Sequence, residues 1–329
     1  MLRQFQRAAS SFVAFGWPPP AAAKEVRSRA GRVTETLAFG SNPGGLRMLV
    51  YAPPKAPPAG APLIVVMHGC RQDAEAFAAD TGWIALAARL RVPLVLPVQT
   101  AANNRQHCFN WFRPRDVGRG SGEAMSVRQM VATASKHFAS DRRRVFIVGL
   151  SAGGAMAAAM LAAYPAVFAA GAVVAGMPVG SASTSSMALY RMYHADPYRS
   201  RAGLVAAVRA AVPPRGSRPW PRLSIWQGGR DRVVNPANAE LLAAQWSGLH
   251  GLEADPEIDT LPLPGVRRRA WGRAGRPAVE LWTIAEMAHG FPVDPAVTGG
   301  GRPGAWVLDA GISAARHIAA FWGIDGKLP

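Results

Sequence analysis

The stretch VFIVGLSAGGAMAA, residues 145–158, decides the fold because it joins an apolar run to a run of small, helix-forming residues. The apolar run predicts a buried strand, and the alanine-rich residues after it predict a helix. Between them lies Gly149-Leu150-Ser151-Ala152-Gly153, whose glycines permit a sharp turn and leave the serine hydroxyl exposed. Ser151 is therefore a candidate nucleophile at a strand-to-helix turn. The alternative is a turn with a purely structural role.

Strand-like and helix-like segments alternate along the chain on both sides of this turn. Alternation of this kind predicts parallel strands joined by crossover helices, and near-continuous apolar strands indicate a sheet covered on both faces. We therefore predict an α/β three-layer sandwich with a mostly parallel central sheet. The predicted strands are residues 46–53, 62–69, 92–98, 145–150, 171–176, 222–229 and 279–287. The predicted helices are residues 73–90, 123–139, 153–165, 235–249 and 312–324.

The 329 residues fit one large domain, which we place at residues 32–325. Residues 178–221 contain no clear strand and predict a loop-rich insertion over the active site, and residues 252–278 form a second loop-rich stretch. Residues 1–31 carry two arginines before a short apolar stretch, so they predict a disordered leader or a weak signal-like segment. No apolar run reaches the length of a membrane span, and we expect no stable membrane insertion.

The chain is strongly basic, with a net charge of +17 and an isoelectric point near 11.3. Such a charge would attract nucleic acid or anionic membranes if the basic residues formed one surface, but they are spread along the sequence. Only four of the 37 basic residues are lysines, which is typical of a GC-rich coding bias. Because no helix-turn-helix, zinc-finger or RNA-binding pattern accompanies the charge, we expect no nucleic-acid partner.

A serine nucleophile needs a base and an acid that orients the base. Asp231, in SIWQGGRDRVV, comes just after a predicted strand, and His289, in IAEMAHGFPV, follows the last predicted strand. Catalytic groups gather at the carboxyl ends of strands in α/β sheets, and the order Ser151, Asp231, His289 is that of α/β hydrolases. We therefore predict these three as catalytic. A capping role for Asp231 and a loop role for His289 are the alternatives, and the other histidines, including His68, are interpreted as structural or solvated.

The oxyanion of an attacked carbonyl needs backbone N–H donors near the serine. The Ala152 amide directly follows the nucleophile, and the Cys70 amide lies in the loop MHGCRQ, where Gly69 gives the backbone room. We expect no metal, since the two cysteines lack histidines at zinc-site spacing. We also expect no cofactor: the glycine-rich DVGRGSGE, residues 116–123, does not end as a phosphate-binding loop does.

Five longer motifs lie within residues 39–324. They read FGSNPGGLRMLVYAP, MHGCRQDAEAFAADTGW, CFNWFRP, GLSAGGAMAAAMLAAYPAVFAAGAVVAGMPVG and DAGISAARHIAAFWGI. Together they resemble the polyhydroxybutyrate depolymerase family of esterases, which is related to feruloyl and acetylxylan esterases. The resemblance implies an α/β-hydrolase fold and a serine esterase that acts through an acyl-enzyme on short-chain polyhydroxyalkanoate (3-hydroxybutyrate) polymers or oligomers. The alternatives are a feruloyl or acetylxylan esterase, an acyltransferase, and a non-catalytic binding protein.

The resemblance also implies a disulfide between Cys70 and Cys108 that pins the oxyanion loop beside FNWF, two free thiols being the alternative. Trp111 would then face the cleft and contact the acyl unit, unless it is a core tryptophan. A disulfide favours an extracellular or periplasmic location. Because the signal-like segment is weak, a cytoplasmic location is the alternative. Few residues follow FWGI, so we expect soluble oligomers, amorphous polyester or small esters as substrates rather than crystalline polymer. The sequence leaves the oligomeric state open.

Overall fold

The computed structural model describes residues 31–211 and 219–325. The predicted leader at residues 1–31 lies outside the described residues, except for Gly31. The strands are β1 (Arg32–Thr36), β2 (Arg47–Ala52), β3 (Leu63–Met67), β4 (Leu94–Val98), β5 (Val145–Leu150), β6 (Ala170–Val174), β7 (Arg222–Gly228), β8 (Ile258–Leu263), β9 (Val266–Trp271), β10 (Val279–Ile284), β11 (Phe291–Val293) and β12 (Val307–Asp309). The helices are α1 (Ala74–Asp80), α2 (Trp83–Leu90), α3 (Pro114–Val117), α4 (Gly122–His137), α5 (Ala152–Ala163), α6 (Ser185–Tyr193), α7 (Arg201–Ala210), α8 (Ala237–Leu249) and α9 (Ala314–Trp322).

The main sheet has ten strands in the order β1-β2-β4-β3-β5-β6-β7-β10-β9-β8. The six central strands, from β4 to β10 in that order, are parallel. Two antiparallel strands extend the sheet at each edge. A separate pair of strands, β11 and β12, lies outside this sheet. The prediction of a mostly parallel central sheet is confirmed.

Alternate residues of each central strand pack into different cores, one on each face of the sheet. In β5, Val145 and Ile147 belong to the core formed with α4, α5 and α8. Phe146 and Val148 belong to the core formed with α1, α2 and α9. All six residues of β5 are buried, which explains the continuous apolar run in the sequence. The predicted three-layer sandwich is therefore the observed architecture.

The stretch 178–221, predicted as loop-rich, contains helices α6 and α7. Both begin at a capping residue: the Thr184 side chain accepts a hydrogen bond from Met187 N, and the Ser200 side chain accepts one from Gly203 N. Only Ala188 is buried in α6, so the helix carries little of the apolar periodicity that predicts helices. The sequence reading did not give these two helices: α6 is marked mainly by its cap, whereas α7 also buries Leu204 and Val208 at helical spacing.

The stretch 252–278, also predicted as loop-rich, contains the hairpin of β8 and β9. Most residues of β8 are exposed, and β9 carries three consecutive arginines, so neither strand reads as a buried run. Edge strands of this kind are common in sheets that avoid pairing with other chains. The predicted helix at 73–90 is likewise two helices, α1 and α2, separated at Gly82, which adopts a φ of 83°.

Candidate active site

Ser151 lies at the turn between β5 and α5. Its backbone has φ 57° and ψ −118°, an unfavourable conformation for a residue with a side chain, and strained backbone of this kind is concentrated at functional sites. The flanking glycines are required by close backbone approaches. A Cβ at Gly149 would collide with the Gly153 carbonyl, and a Cβ at Gly153 would collide with the carbonyls of Met67 and His68 on the neighbouring strand.

Asp231 and His289 form a buried hydrogen-bonded pair. His289 Nδ1 lies 2.7 Å from Asp231 Oδ2, and the two residues are 6% and 5% exposed. The other carboxylate oxygen accepts bonds of 2.8 Å from the amides of Val233 and Val234. Gln227 Nε2 donates a further bond of 3.0 Å to Oδ2. The carboxylate is thus fixed by three donors besides the histidine, so its orientation is set before any substrate binds.

The three candidate catalytic residues follow β5, β7 and β10, and these parallel strands end at the same edge of the sheet. The loops after β7 and β10 touch directly: Arg230 N donates to Met287 O at 2.9 Å. The His289 ring lies edge-on to Trp306, with the ring centroids 5.5 Å apart. The structure therefore pairs Asp231 with His289 and places Ser151 at the same edge of the sheet.

The two candidate oxyanion donors lie on the loop after β3 and at the start of α5. Ala152 is in the first turn of α5, where an amide has no earlier helical carbonyl to bond. On the β3 loop, Gly69 N donates to Gln72 Oε1 at 2.7 Å and Arg71 N donates to Gln106 O at 2.9 Å, which fixes the chain on both sides of Cys70. A disulfide joins Cys70 to Cys108, with the Cα atoms 4.2 Å apart.

Trp111 is half-buried beside α5. It lines a cavity of about 30 Å³ together with Ala155 and Ala159 of α5 and with residues 178–180 at the start of the insertion. Its ring also contacts Phe112 edge-on at 5.7 Å. The side chain therefore packs against the core and borders a small cavity one helical turn beyond Ser151. Its contact with substrate stays a prediction.

A buried polar network that the sequence did not reveal supports the loop between Gln99 and Asn110. The fully buried Glu123 accepts bonds from Gln99 Nε2 at 2.7 Å, from Asn103 Nδ2 at 3.1 Å, and from Asn110 N and Nδ2 at 2.9 and 2.6 Å. Burial raises the Glu123 pKa to about 7. Gln99 Nε2 also donates to Cys108 O at 3.0 Å, so the network reaches the disulfide.

The sequence analysis did not identify Gln227 or Glu123 as site residues, for different reasons. Gln227 is the one amide side chain in the predicted strand at 222–229, and a polar residue at the buried carboxyl end of a strand was the signal that could have found it. Glu123 follows DVGRGSG and begins a helix, where an acidic residue is ordinarily a solvated helix-end group. No pattern around it indicates burial.

A cavity of about 490 Å³ lies beside the C-terminal end of α6. Tyr190, Tyr198 and the ion-paired Arg191 and Asp196 line it, and none of the three candidate catalytic residues does. Asn235 connects this cavity to the loop that carries Asp231. The candidate catalytic residues therefore lie outside this cavity.

Within residues 31–211 and 219–325, no cluster of three or more His, Cys, Asp or Glu side chains could hold a metal ion. None of the helices in these ranges is both long and apolar enough to span a bilayer.

Comparison with known proteins identifies the class of protein to which this chain belongs. The family model for the esterase PHB depolymerases matches residues 46–259, more than half of the chain. Poly(3-hydroxyalkanoate) depolymerase C of Paucimonas lemoignei is 38% identical over 297 residues, which are 89% of this chain and 70% of that protein. Acetylxylan esterase of Coprinopsis cinerea is 28% identical over 272 residues, covering 80% of this chain and 70% of that protein. Feruloyl esterase B of Talaromyces funiculosus is also 28% identical, over 281 residues, covering 82% and 76%.

Among solved structures, the acetyl xylan esterase from Aspergillus awamori superposes with a TM-score of 0.76 at 20% identity, covering 89% of this chain and all of that one. This likeness shows an α/β-hydrolase fold. Fold and family together define a carboxylic ester hydrolase. The chain belongs to the polyhydroxybutyrate depolymerase family of esterases.

Proposed function

We propose that the protein hydrolyses esters through a covalent acyl-enzyme formed at Ser151. The hydrogen bond of 2.7 Å between His289 Nδ1 and Asp231 Oδ2 carries the proposal, because it holds the proton on Nδ1 and leaves Nε2 free to act as a base. His289 takes the Ser151 proton as Oγ attacks the ester carbonyl. Asp231 keeps the ring in this tautomer and stabilises the imidazolium that forms.

The amides of Cys70 and Ala152 stabilise the oxyanion in this proposal. Collapse of the tetrahedral intermediate expels the alcohol, which receives its proton from His289. A water molecule then attacks the acyl carbon and gives a proton to His289. The carboxylic acid leaves, and Ser151 recovers its proton.

We further propose that the acyl group comes from short-chain polyhydroxyalkanoates, as 3-hydroxybutyrate polymers or oligomers. The 38% identity to a poly(3-hydroxyalkanoate) depolymerase, against 28% to an acetylxylan esterase and a feruloyl esterase B, supports this substrate class. Trp111 would border the acyl group, because it packs on α5 beside Ala155, one turn after Ser151.

The Ser151→Ala variant tests the nucleophile. It should fold and yet lose hydrolysis of p-nitrophenyl butyrate by roughly 10⁵-fold in kcat, since the alanine removes the attacking oxygen. Ser185→Ala, at an exposed position on α6, is the matched control and should keep wild-type activity. A fluorophosphonate probe should label the wild type and the control but not Ser151→Ala. Substantial turnover by Ser151→Ala would exclude the proposed role.

The substrate class is tested with the purified protein on polyhydroxybutyrate film, hydroxybutyrate oligomers, methyl ferulate, acetylated xylan and p-nitrophenyl esters. Release of 3-hydroxybutyrate with kcat/KM well above that for the ferulate and acetyl substrates is the expected result. A preference for methyl ferulate or acetylated xylan would replace the proposed substrate. Product analysis with an added alcohol acceptor separates hydrolysis from acyl transfer, and the absence of any turnover together with no probe labelling would indicate a binding protein.

A further inference from the structure

Trp306 lies in a tight turn directly before β12, and its ring lies beside that of His289, the candidate base. Two hydrogen bonds close the turn: Gly304 N donates to Val307 O at 2.9 Å, and Val307 N donates to Gly304 O at 3.1 Å. Trp306 occupies the third position of this turn with a φ of 61°. A positive φ at that position ordinarily selects glycine or asparagine, and a bulky aromatic residue there is strained. Because backbone strain is concentrated at functional sites, the Trp306 ring is a candidate for a role in the reaction.

The neighbouring segments hold this turn against the candidate active site. Phe291 N, two residues after His289, donates to Trp306 O at 2.8 Å, and Gln72 Nε2 donates to Ala305 O at 2.8 Å. The indole ring lies edge-on to the His289 imidazole, with the centroids 5.5 Å apart and an angle of 71° between the planes. Trp306 is half-buried, so the residue is packed on one side and accessible on another.

Trp306 and Trp111 flank the carboxyl edge of the sheet from opposite faces. Trp111 packs against the core that contains α4, α5 and α8, where it also lies beside Ala155. Trp306 packs against the core that contains α1, α2 and α9. The sheet separates these two cores, and Ser151 follows its central strand β5. A substrate that is attacked at Ser151 with its acyl group on the Trp111 side therefore directs its alcohol part toward the Trp306 side.

Proton transfer in the proposed mechanism brings the alcohol part to the same place. When the tetrahedral intermediate collapses, the bond between the carbonyl carbon and the alcohol oxygen breaks, and Nε2–H of His289 gives its proton to that oxygen. The nitrogen and the oxygen must then lie within hydrogen-bond distance, about 3 Å. The carbon attached to the alcohol oxygen consequently lies next to the imidazole. A ring that contacts the imidazole is in reach of this carbon and its substituents.

We propose that Trp306 is a specificity-determining residue that binds the alcohol part of the ester by apolar contact. In a 3-hydroxybutyrate oligomer the alcohol part is the next hydroxyacyl unit, whose methyl and methylene groups suit an indole ring. The inference rests on the proposed acyl-enzyme function of Ser151 and His289. The enzyme should select alcohols with apolar bulk, whatever acyl group they carry. A tryptophan that only orients His289 would instead affect all esters alike, because the histidine acts in both acylation and deacylation.

Trp306→Gly removes the ring and suits the positive φ, and Ala305→Gly, at an exposed position in the same turn, is the matched control. The substrates are the butyryl esters of methanol, of benzyl alcohol and of methyl 3-hydroxybutyrate, which share one acyl-enzyme and differ only in the alcohol. For Trp306→Gly we expect kcat/KM to fall about 10- to 100-fold for the two larger alcohols and less than about twofold for methyl butyrate. p-Nitrophenyl acetate and butyrate, which share their alcohol, should lose equal factors. Ala305→Gly should keep the wild-type values.

Partitioning of the acyl-enzyme measures the same contact in the reverse direction. With p-nitrophenyl butyrate and added benzyl alcohol, the butyryl-enzyme reacts with benzyl alcohol to give benzyl butyrate or with water to give butyrate. The ratio of the two products does not depend on the amount of folded enzyme, and His289 takes the proton in both reactions. Trp306→Gly should lower this ratio about 10- to 100-fold. With methanol as the acceptor, the ratio of methyl butyrate to butyrate should not change.

Fluorophosphonate labelling and turnover of p-nitrophenyl butyrate by the wild type show first that the proposed esterase function stands; failure of both would overturn that function rather than the role of Trp306. With the wild type active, equal losses of Trp306→Gly on the methyl, benzyl and hydroxybutyrate esters would overturn the role in alcohol binding. An unchanged product ratio, or no benzyl butyrate from the wild type, would contradict it as well. If Trp306→Gly does not fold, Trp306→Asn decides by the same ratios, because asparagine also tolerates a positive φ.

Discussion

Glu123 is the buried residue whose ionisation should be visible in the stability of the protein. Its carboxylate accepts four N–H bonds, which favour the charged form, but burial outweighs them, and the nearby Asp116 adds repulsion. The folded protein therefore holds a Glu123 pKa of about 7, against 4.5 for the unconstrained group. Between these two values the folded state binds more protons than the unfolded state. The contribution of protonated Glu123 to the free energy of unfolding is complete below pH 4.5 and is lost as the pH rises to about 7.

Comparison of the wild type with Glu123→Gln, which cannot titrate, isolates this contribution. From pH 4.5 to 7.5, the free energy of unfolding of the wild type relative to the variant should fall by something on the order of 3 kcal/mol. His68, with its lowered pKa, changes stability in the opposite direction over this range, but it is present in both proteins and cancels. Urea titrations at several pH values measure the difference. A difference that is constant with pH would contradict the raised pKa.

At the scale of single residues, the sequence identified candidate site residues that lie in a motif or directly after a predicted strand. The sequence singled out Ser151 between its glycines, and Asp231 and His289 by their places after apolar runs, and the last two are hydrogen-bonded in the structure. It interpreted His68 as structural or solvated and did not single out Glu123. Both are hydrogen-bonded to Gln99, which lies far away in the chain, and contacts of that kind leave no local pattern.

Among the elements, the hairpin of β8 and β9 pairs with the parallel sheet along β10, and a buried ion pair adds to this backbone pairing. Arg268 Nε on β9 lies 2.9 Å from Glu280 Oε2 on β10, and the Glu280 side chain is 2% exposed. Ser224 on β7 donates to the other carboxylate oxygen at 2.7 Å. The pair therefore links three neighbouring strands. Removal of the arginine would leave the carboxylate buried without its charged partner.

Arg268→Met should lower the free energy of unfolding by roughly 3 kcal/mol, because a buried charge that has lost its partner is costly. Arg267→Met is the matched control on the same strand. Its partner Asp259 and Arg267 itself are about half exposed, so solvent screens the pair and the unfolding midpoint should stay close to that of the wild type. Guanidinium chloride titrations of both variants test this. Equal midpoints for the two variants would show that the pair at Glu280 does not hold the hairpin.

The elements that the sequence missed share a physical cause. The strands of the sheet centre were found because burial on both faces demands continuous apolar runs. The hairpin of β8 and β9 lies at the edge, and helix α6 buries only Ala188, so neither needs an apolar pattern to form. Caps and cross-strand ion pairs stabilise them instead, and such interactions become visible only once the fold brings the partners together.

On the scale of the whole molecule, the loops that follow neighbouring strands are joined to one another at the carboxyl edge of the sheet. The disulfide joins the loop after β3, at Cys70, to the loop after β4, at Cys108, across 38 residues that include α1 and α2. Glu123 accepts hydrogen bonds from Asn110, which also holds the loop after β4 in place. A covalent link of this kind restricts the unfolded chain as well as the folded loops.

Removal of the disulfide should therefore lower the stability of the entire domain. Closure of a loop of 38 residues reduces the entropy of the unfolded chain by an amount worth about 4 kcal/mol at 25 °C. Guanidinium chloride titrations of the wild type with and without dithiothreitol, and of the Cys70→Ser/Cys108→Ser variant, measure the loss. The reduced wild type and the variant should unfold at similar, lower midpoints, and dithiothreitol should not affect the variant. A midpoint of the variant equal to that of the oxidised wild type would mean that the noncovalent network alone fixes these loops.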